Sequence, residues 1–510
     1  MLALACLVTL VAVVRGVEPL GVDQGLFACF TRWVPRGWLP YRDLFDSKPP
    51  LFLYSYALAS LVPGDVVHAI WAVQAAILLA ALFVASRLGA RVGSRWTGVA
   101  FAAALFVGLW SPAWGGFWSR GQAEELLVLP MLGSAWLAWG AVERPALAAW
   151  AGVLAGVCGL FKIPSMAIGG AWIVTWALTV PRAGALRRVA LLAGGAAAPW
   201  LLAFAWFGAH GALSDLVTGA FVYHRYNVAF IAPPWLDVVE DFTATLVGRA
   251  PLLVAAAAMG LYAMAERDAR ALRWVAPWLA LTMLAVVLQR QLADYHYLLA
   301  MPALALAAGY GVVDRVERAR SAGAAPRARA IAGGMLVALA ALLVREATGW
   351  ARAYGPDAAA LTGAMPRDAY LRRIQPGSFS MATEEEAARY VRDHTAPADG
   401  VLVWGLSPGL YALADRHPCT RYPFHKILMT DAPLSRMWPG LEQRRAELLD
   451  RLRADPPAYV LVGRDDANGF EPEDSRSSMT RFEPLRALLE RDYHRETEIG
   501  RFLVLRRNAR

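Results

Sequence analysis

The chain has 510 residues, 57% of them hydrophobic and 18% charged, with a mean hydropathy of +0.39. That apolar excess, gathered in runs long enough to cross a bilayer, excludes an ordinary soluble enzyme and indicates a membrane protein. The net charge is +9, but the cations sit in short loops between apolar runs, which is the pattern of membrane orientation and not of nucleic-acid binding.

Eleven spans are expected in chain order: Leu2–Val14, Val66–Ser86, Trp96–Trp110, Glu125–Val142, Ala146–Leu160, Ile163–Val180, Val189–Phe207, Pro251–Ala265, Trp274–Leu288, Tyr297–Val313 and Ile331–Val344. The first is short and ends at Arg15. No small-residue cleavage site leads into Val17-Glu18-Pro19, so it reads as a retained span and not a signal peptide. Arginines cluster in alternate loops, at Arg87, Arg91 and Arg95, at Arg144, at Arg182, Arg187 and Arg188, at Arg267, Arg270 and Arg273, and from Arg315 to Arg329. The positive-inside rule puts these loops and the N-terminus in the cytoplasm and everything after Arg345 outside.

This divides the chain into a membrane domain, residues 1–345, and an extracytoplasmic α/β domain, residues 346–510. Two outer loops are long, 17–62 and 211–250, and both are rich in Trp and Tyr, as interfacial helices are. In the outer domain, Thr383 followed by Glu384, Glu385 and Glu386 reads as a capped helix start. Leu441–Ala454 reads as a further helix, and Val401–Gly405, Ala458–Gly463 and Phe502–Leu505 read as strands. The four cysteines, Cys6, Cys29, Cys158 and Cys419, fit neither a zinc motif nor a disulfide framework.

The first outer loop concentrates polar residues between apolar segments. Asp23 is either a helix cap or a general base at the membrane surface, of the kind that contributes about 10²–10⁴-fold to a reaction. In Tyr41-Arg42-Asp43-Leu44-Phe45-Asp46-Ser47-Lys48-Pro49-Pro50, a helix would put Asp43 and Asp46 on one face and the double proline would end it, fixing Lys48 near the interface. Lys48 then either snorkels to headgroups or meets a phosphate as a point charge. Only Lys48, Lys162 and Lys426 are lysines among 50 basic residues. Lys162, at the outer end of a span, has the same two readings. His224 and Arg225 read as interface anchors or as ligand contacts. Asp465-Asp466-Ala467-Asn468-Gly469 lacks the EF-hand spacing and reads as a turn.

Asp23 with Gly25, followed by the segment YRDLFDSKPPL, resembles the first outer loop of the GT-C membrane glycosyltransferases. The similar branch is that of protein O-mannosyltransferases, aminoarabinose transferases and bacterial polyprenyl-phosphate-sugar transferases. Gln122-Ala123-Glu124, the glycine-rich Gly152–Gly156 run leading to Phe161-Lys162-Ile163-Pro164, and Tyr295-His296-Tyr297-Leu298-Leu299 ahead of Met301-Pro302 resemble the family in order and spacing. The resemblance implies a GT-C-like polytopic helical fold and an inverting enzyme. That enzyme would move a monosaccharide from a polyprenyl-phosphate donor to a glycan, lipid or protein of a bacterial cell envelope, at the outer face of the inner membrane. Asp23 would be the catalytic base. Lys48 and Lys162 would contact donor phosphate, and Arg290, His296 and Tyr297 the donor head group. Gln24, Tyr41, Asp43, Asp46 and Glu124 would line the acceptor side or the cavity. No cofactor and no metal ligand is implied, although a divalent ion stays open. The family's usual Asp-Glu pair is here Asp23-Gln24, which keeps hydrogen bonding and loses a charge. A flippase for lipid-linked saccharide and a non-catalytic envelope assembly protein are the alternatives.

Overall fold

The computed structural model describes residues 1–226, 233–321, 326–374, 379–429, 439–468 and 473–509. The apolar runs form helices because a backbone in hydrocarbon must satisfy its own hydrogen bonds. Among the described residues, six helices are long and apolar enough to cross a membrane, and the number reaches eight if each of two bent pairs is one span. One such pair, Trp235–Arg249 with Pro251–Arg267, bends by 98°. The shorter apolar helices Val128–Ala141, Leu147–Phe161 and Ile163–Thr179 lie on three more of the expected spans. All eleven expected spans thus fall on apolar helices of a multi-pass membrane protein. Leu202 and Val337 are each 71% exposed on two of the longest helices. Such side chains need lipid and not water around them.

The chain separates into two compact units. The first comprises Met1–Arg15, Gln74–Trp206 and Ile231–Gly355. Its helices approach closely where glycines face backbone: a Cβ on Gly152 would overlap the Leu192 carbonyl, and one on Gly156 that of Ala196. This explains the glycine-rich run, since membrane helices pack through small residues. Trp172 stacks on Trp274 at 5.0 Å between ring centres, with Trp139 and Trp278 edge-on or tilted around them.

The second unit comprises Gly16–Val73, Phe207–Phe230 and Pro356–Arg510. It gathers the first outer loop and part of the second with the C-terminal residues, an association invisible in linear order. Its elements include α1 (Val22–Trp33), α2 (Pro50–Ala57), α3 (Met381–Asp393), β1 (Val401–Trp404), α4 (Gly409–Ala414), α5 (Leu441–Ala454), β2 (Tyr459–Gly463), β3 (Tyr493–Ile499) and β4 (Phe502–Arg507). The sheet order is β1-β2-β4-β3, with β1 and β2 parallel and the other neighbours antiparallel. β1 and β2 are buried along their whole length. The edge strand β3 is buried only at its two ends, and its polar sequence gives no strand signal.

Two expectations are corrected. Thr383 does not cap its helix: Ser380 does, accepting the Thr383 N–H at 3.3 Å, because burial of Met381 draws the first turn upstream. The segment 41–48 is not helical either. Tyr41 has φ +70° and its N–H bonds Leu44 O at 2.8 Å, closing a turn. The double proline starts a helix instead of ending one. Pro50 occupies the first position of α2, where the missing N–H costs nothing.

Candidate functional site

In the second unit, Gly21 precedes α1 and puts Asp23 in its first turn, where the helix dipole favours a carboxylate. Phe27 lies one turn on, on the same face. The Lys48 ammonium sits over the Phe27 ring, 5.1 Å from its centre. Phe27 is itself braced edge-on by Phe52 at 4.6 Å and by Tyr56 at 5.2 Å. Lys48 is therefore held on the Asp23 face of α1.

Asp46 completes this group. It is 3% exposed, and its Oδ1 accepts the N–H groups of Ser47 at 2.5 Å and Lys48 at 3.0 Å, while Oδ2 is buried without a hydrogen-bond partner. Burial raises the Asp46 carboxyl above the usual range; Lys48 and the two N–H groups oppose this, and the nearby charge of Asp23 adds to it. The Tyr41 hydroxyl donates to Lys48 O at 2.6 Å, so the fully buried Tyr41 fixes the backbone that carries the lysine. Gln24 is fully buried beside Asp23.

Asp43 does not share a face with Asp46. Both its oxygens engage Arg42, at 3.0 and 2.8 Å, and Oδ2 also accepts the Leu39 N–H at 2.8 Å. Burial opposes ionisation of Asp43, but these bonds outweigh it and lower its pKa. Asp43 thus holds the turn. His224 is expected from the sequence as an interface anchor or a ligand contact. Its Nε2 lies 2.6 Å from Ser47 O, the residue between Asp46 and Lys48.

The footing of α1 is in the same unit. A Cβ on Gly25 would lie 2.6 Å from the Gly409 Cα, so α1 and α4 meet glycine to glycine. Cys29 Sγ reaches Pro408 O at 3.4 Å, and Arg36 forms a two-pronged bond to Asp415 at 2.8 and 3.1 Å. Glu384 is buried beneath this contact, and burial pushes its carboxyl up to about 8 against one backbone N–H, that of Leu410.

In the first unit, Glu124 opens the short helix Ala123–Leu126 and pairs with the Lys162 ammonium. Lys162 also sits over the Tyr295 ring at 5.4 Å. It is thus engaged by a carboxylate and not simply extended to headgroups. His296, adjacent to Tyr295, is directed by Gln291 O at 2.5 Å. Tyr297 is buried between Trp114 and Phe242, with ring centres at 5.1 and 5.5 Å. Arg290, at φ +58°, donates to Pro233 O and lies over Trp235 at 4.7 Å. The sequence reading missed a neighbouring buried network. Arg120 donates to Gln74 Oε1 at 2.8 Å and to Arg15 O, and Glu125 accepts from Gln74 and from the Gly121 N–H at 2.8 Å. Arg120, two residues ahead of the Gln122-Ala123-Glu124 motif, was its only signal.

The fold is shared with ArnT and with an archaeal oligosaccharyltransferase. ArnT from Cupriavidus metallidurans, in the crystal structure bound to undecaprenyl phosphate, superposes with a TM-score of 0.56 over 99% of this chain and 96% of that one, at 16% identity. Its apo structure matches with the same score and identity. The oligosaccharyltransferase of Archaeoglobus fulgidus in its apo form gives a TM-score of 0.52 at 12% identity, covering 91% of this chain and 69% of that one. No protein-family model and no curated protein sequence matches the chain.

Proposed function

We propose that this protein is an inverting glycosyltransferase that moves a monosaccharide from a polyprenyl-phosphate donor to a cell-envelope acceptor at the outer face of the membrane. The observation that carries this reading is Lys48 held over Phe27, one helical turn from Asp23 on the same face of α1, with the charges of both acting on Asp46, within a fold shared with a protein crystallised on undecaprenyl phosphate. Asp23 takes the proton of the acceptor hydroxyl. The oxygen attacks the anomeric carbon as the bond to phosphate breaks, and the polyprenyl phosphate leaves with the electron pair. Lys48, pinned by Tyr41 and Phe27, meets the growing phosphate charge, and a preset cation is the effective way to do so. Asp46 holds the Ser47–Lys48 backbone through its two accepted N–H groups. Lys162, His296, Tyr297 and Arg290 serve the donor head group, with Tyr297 and Arg290 acting through the aromatic stack and the Pro233–Trp235 turn they hold. Gln24 shapes the acceptor side next to Asp23, and Tyr41 and Asp43 hold the turn that carries Lys48. Polyprenyl phosphate is the leaving group and no metal is needed to balance the step.

The test is transfer of labelled sugar from polyprenyl-phosphate donors to envelope fractions by the purified protein. Wild type is expected to yield a covalent product, and Asp23→Asn to yield none while eluting as a folded species. Full transfer by Asp23→Asn overturns the base assignment. Movement of labelled lipid across proteoliposomes without a covalent product would instead identify a flippase.

A further inference from the structure

Outside the residues assigned above, three side chains of metal-binding type converge in the C-terminal part of the second unit. The atoms of His417, Cys419 and Asp455 that could ligate an ion all lie within 4.8 Å of one another, and among the described residues this is the one such group of His, Cys, Asp and Glu. We propose that it is a zinc site that clamps the helix end at Asp455 to the segment 417–419.

The local backbone is arranged for it. His417 O accepts the Val401 N–H at 2.9 Å, and the Cys419 N–H donates to Val401 O at 3.1 Å. This extended segment runs along β1, so residues 417 and 419, two apart, present their side chains on one side. Asp455 ends α5, and its Oδ2 lies 2.9 Å from His417 Nε2. Space for the group comes from Gly400: a Cβ there would overlap Cys419 Sγ and lie 2.8 Å from His417 Nε2. Arg507, the cation of the neighbourhood, donates to Pro456 O at 3.1 Å.

The donor set selects the metal. One thiolate, one imidazole and one carboxylate suit zinc, whereas calcium and magnesium require oxygen alone. Ligand atoms around a tetrahedral zinc stand about 3.3–3.8 Å apart, given bonds of about 2.0–2.3 Å. The present group, with its ligand atoms within 4.8 Å of one another, would have to draw in by about 1 Å to reach that spacing. Cys419 is buried, while Asp455 reaches solvent with half its side chain exposed, so water has access to the fourth position. Binding releases the Cys419 proton, as thiolate ligation requires.

The site has a structural consequence. The His417 ring lies edge-on to Trp38 at 6.3 Å, and Trp38 lies 6.0 Å from Trp33, the last residue of α1. An ion on His417 thus braces the far end of the helix that carries Asp23.

The test uses the full chain in detergent. After incubation with zinc chloride and gel filtration, wild type is expected to retain about one zinc per chain, with one sulfur in its shell by X-ray absorption. Cobalt should give a thiolate-to-metal charge-transfer band. Cys419→Ala and His417→Gln should each lower retained zinc at least tenfold. Retention unchanged in Cys419→Ala, or wild-type spectra without sulfur, overturns the site. The wild-type spectra decide the matter even if a variant fails to fold.

Discussion

Lys48 shows how one side chain is placed by elements that share no sequence motif. Its ammonium rests on Phe27 of α1 and its carbonyl accepts from Tyr41, whose left-handed backbone no helix would contain. Lys48→Gln keeps a hydrogen-bonding group of similar length but removes the charge. It is expected to lower kcat by about 10²–10³-fold, the scale seen when one donor to a developing oxyanion is lost, with a smaller change in KM. Steady-state kinetics with a polyprenyl-phosphate donor measures both, and an unchanged kcat would place Lys48 outside the chemistry. Tyr41→Phe leaves the aromatic packing on Phe207, 5.5 Å away, but removes the bond to Lys48 O. It should lower activity less than Lys48→Gln does, with a loss of stability of about 1 kcal/mol.

At the scale of elements, the α1–α4 contact decides where Asp23 stands. Gly25 and Gly409 face one another with no room for a Cβ, and the atoms in the way are backbone. Gly25→Ala must therefore move a helix and not a rotamer. It is expected to destabilise the protein by about 1–3 kcal/mol, the usual cost of overpacking, and to reduce transfer further by displacing Asp23. Thermal unfolding and activity, measured together, would separate the two effects; a variant with wild-type stability would show that the helices have slack. The outer loop also explains why a helical reading of 41–48 fails. Asp43 and Asp46 satisfy backbone N–H groups of their own turn, at Leu39 and at Ser47 and Lys48, and aspartate side chains that do so compete with a helix.

At the scale of the whole molecule, the C-terminal residues belong to the unit that carries Asp23, and buried Glu384 makes that unit sensitive to pH. Its folded carboxyl titrates near 8, well above the ordinary range near 4.3 of the unfolded chain. Between these values the folded state keeps a proton that the unfolded state releases. Stability therefore falls as pH rises through that window and levels off above it. Glu384→Gln, always neutral, should abolish this fall and raise the unfolding midpoint at pH 8 relative to wild type, with little difference near pH 4.5. Midpoints measured across that range check the sign; equal slopes in both proteins would mean that Glu384 is ionised in the fold.

The sequence by itself determined the membrane character, the positions of the apolar helices, three of the four strands and the loop that carries Asp23. Those features rest on local signals: the length of an apolar run, a buried β-branched stretch, polar residues where lipid is expected. It also supplied the order of short motifs that resembles the GT-C glycosyltransferases. Only the tertiary structure decided which of the carboxylates meet. Asp46 accepts from the Ser47 and Lys48 N–H groups while Asp43 turns to Arg42, because the turn closed between Tyr41 and Leu44 breaks the helix that would have put the two on one face. It also brought Glu124 onto Lys162, His224 onto Ser47 and Asp455 onto His417, pairings between residues far apart in the chain. Such contacts leave no periodic trace in the sequence. In the first outer loop, what was legible was the presence of the charged groups; their partners follow from the turn at Tyr41–Leu44 and from the seating of Lys48 on Phe27, while α1 itself is set against α4 through a pair of glycines whose contribution is the absence of a side chain.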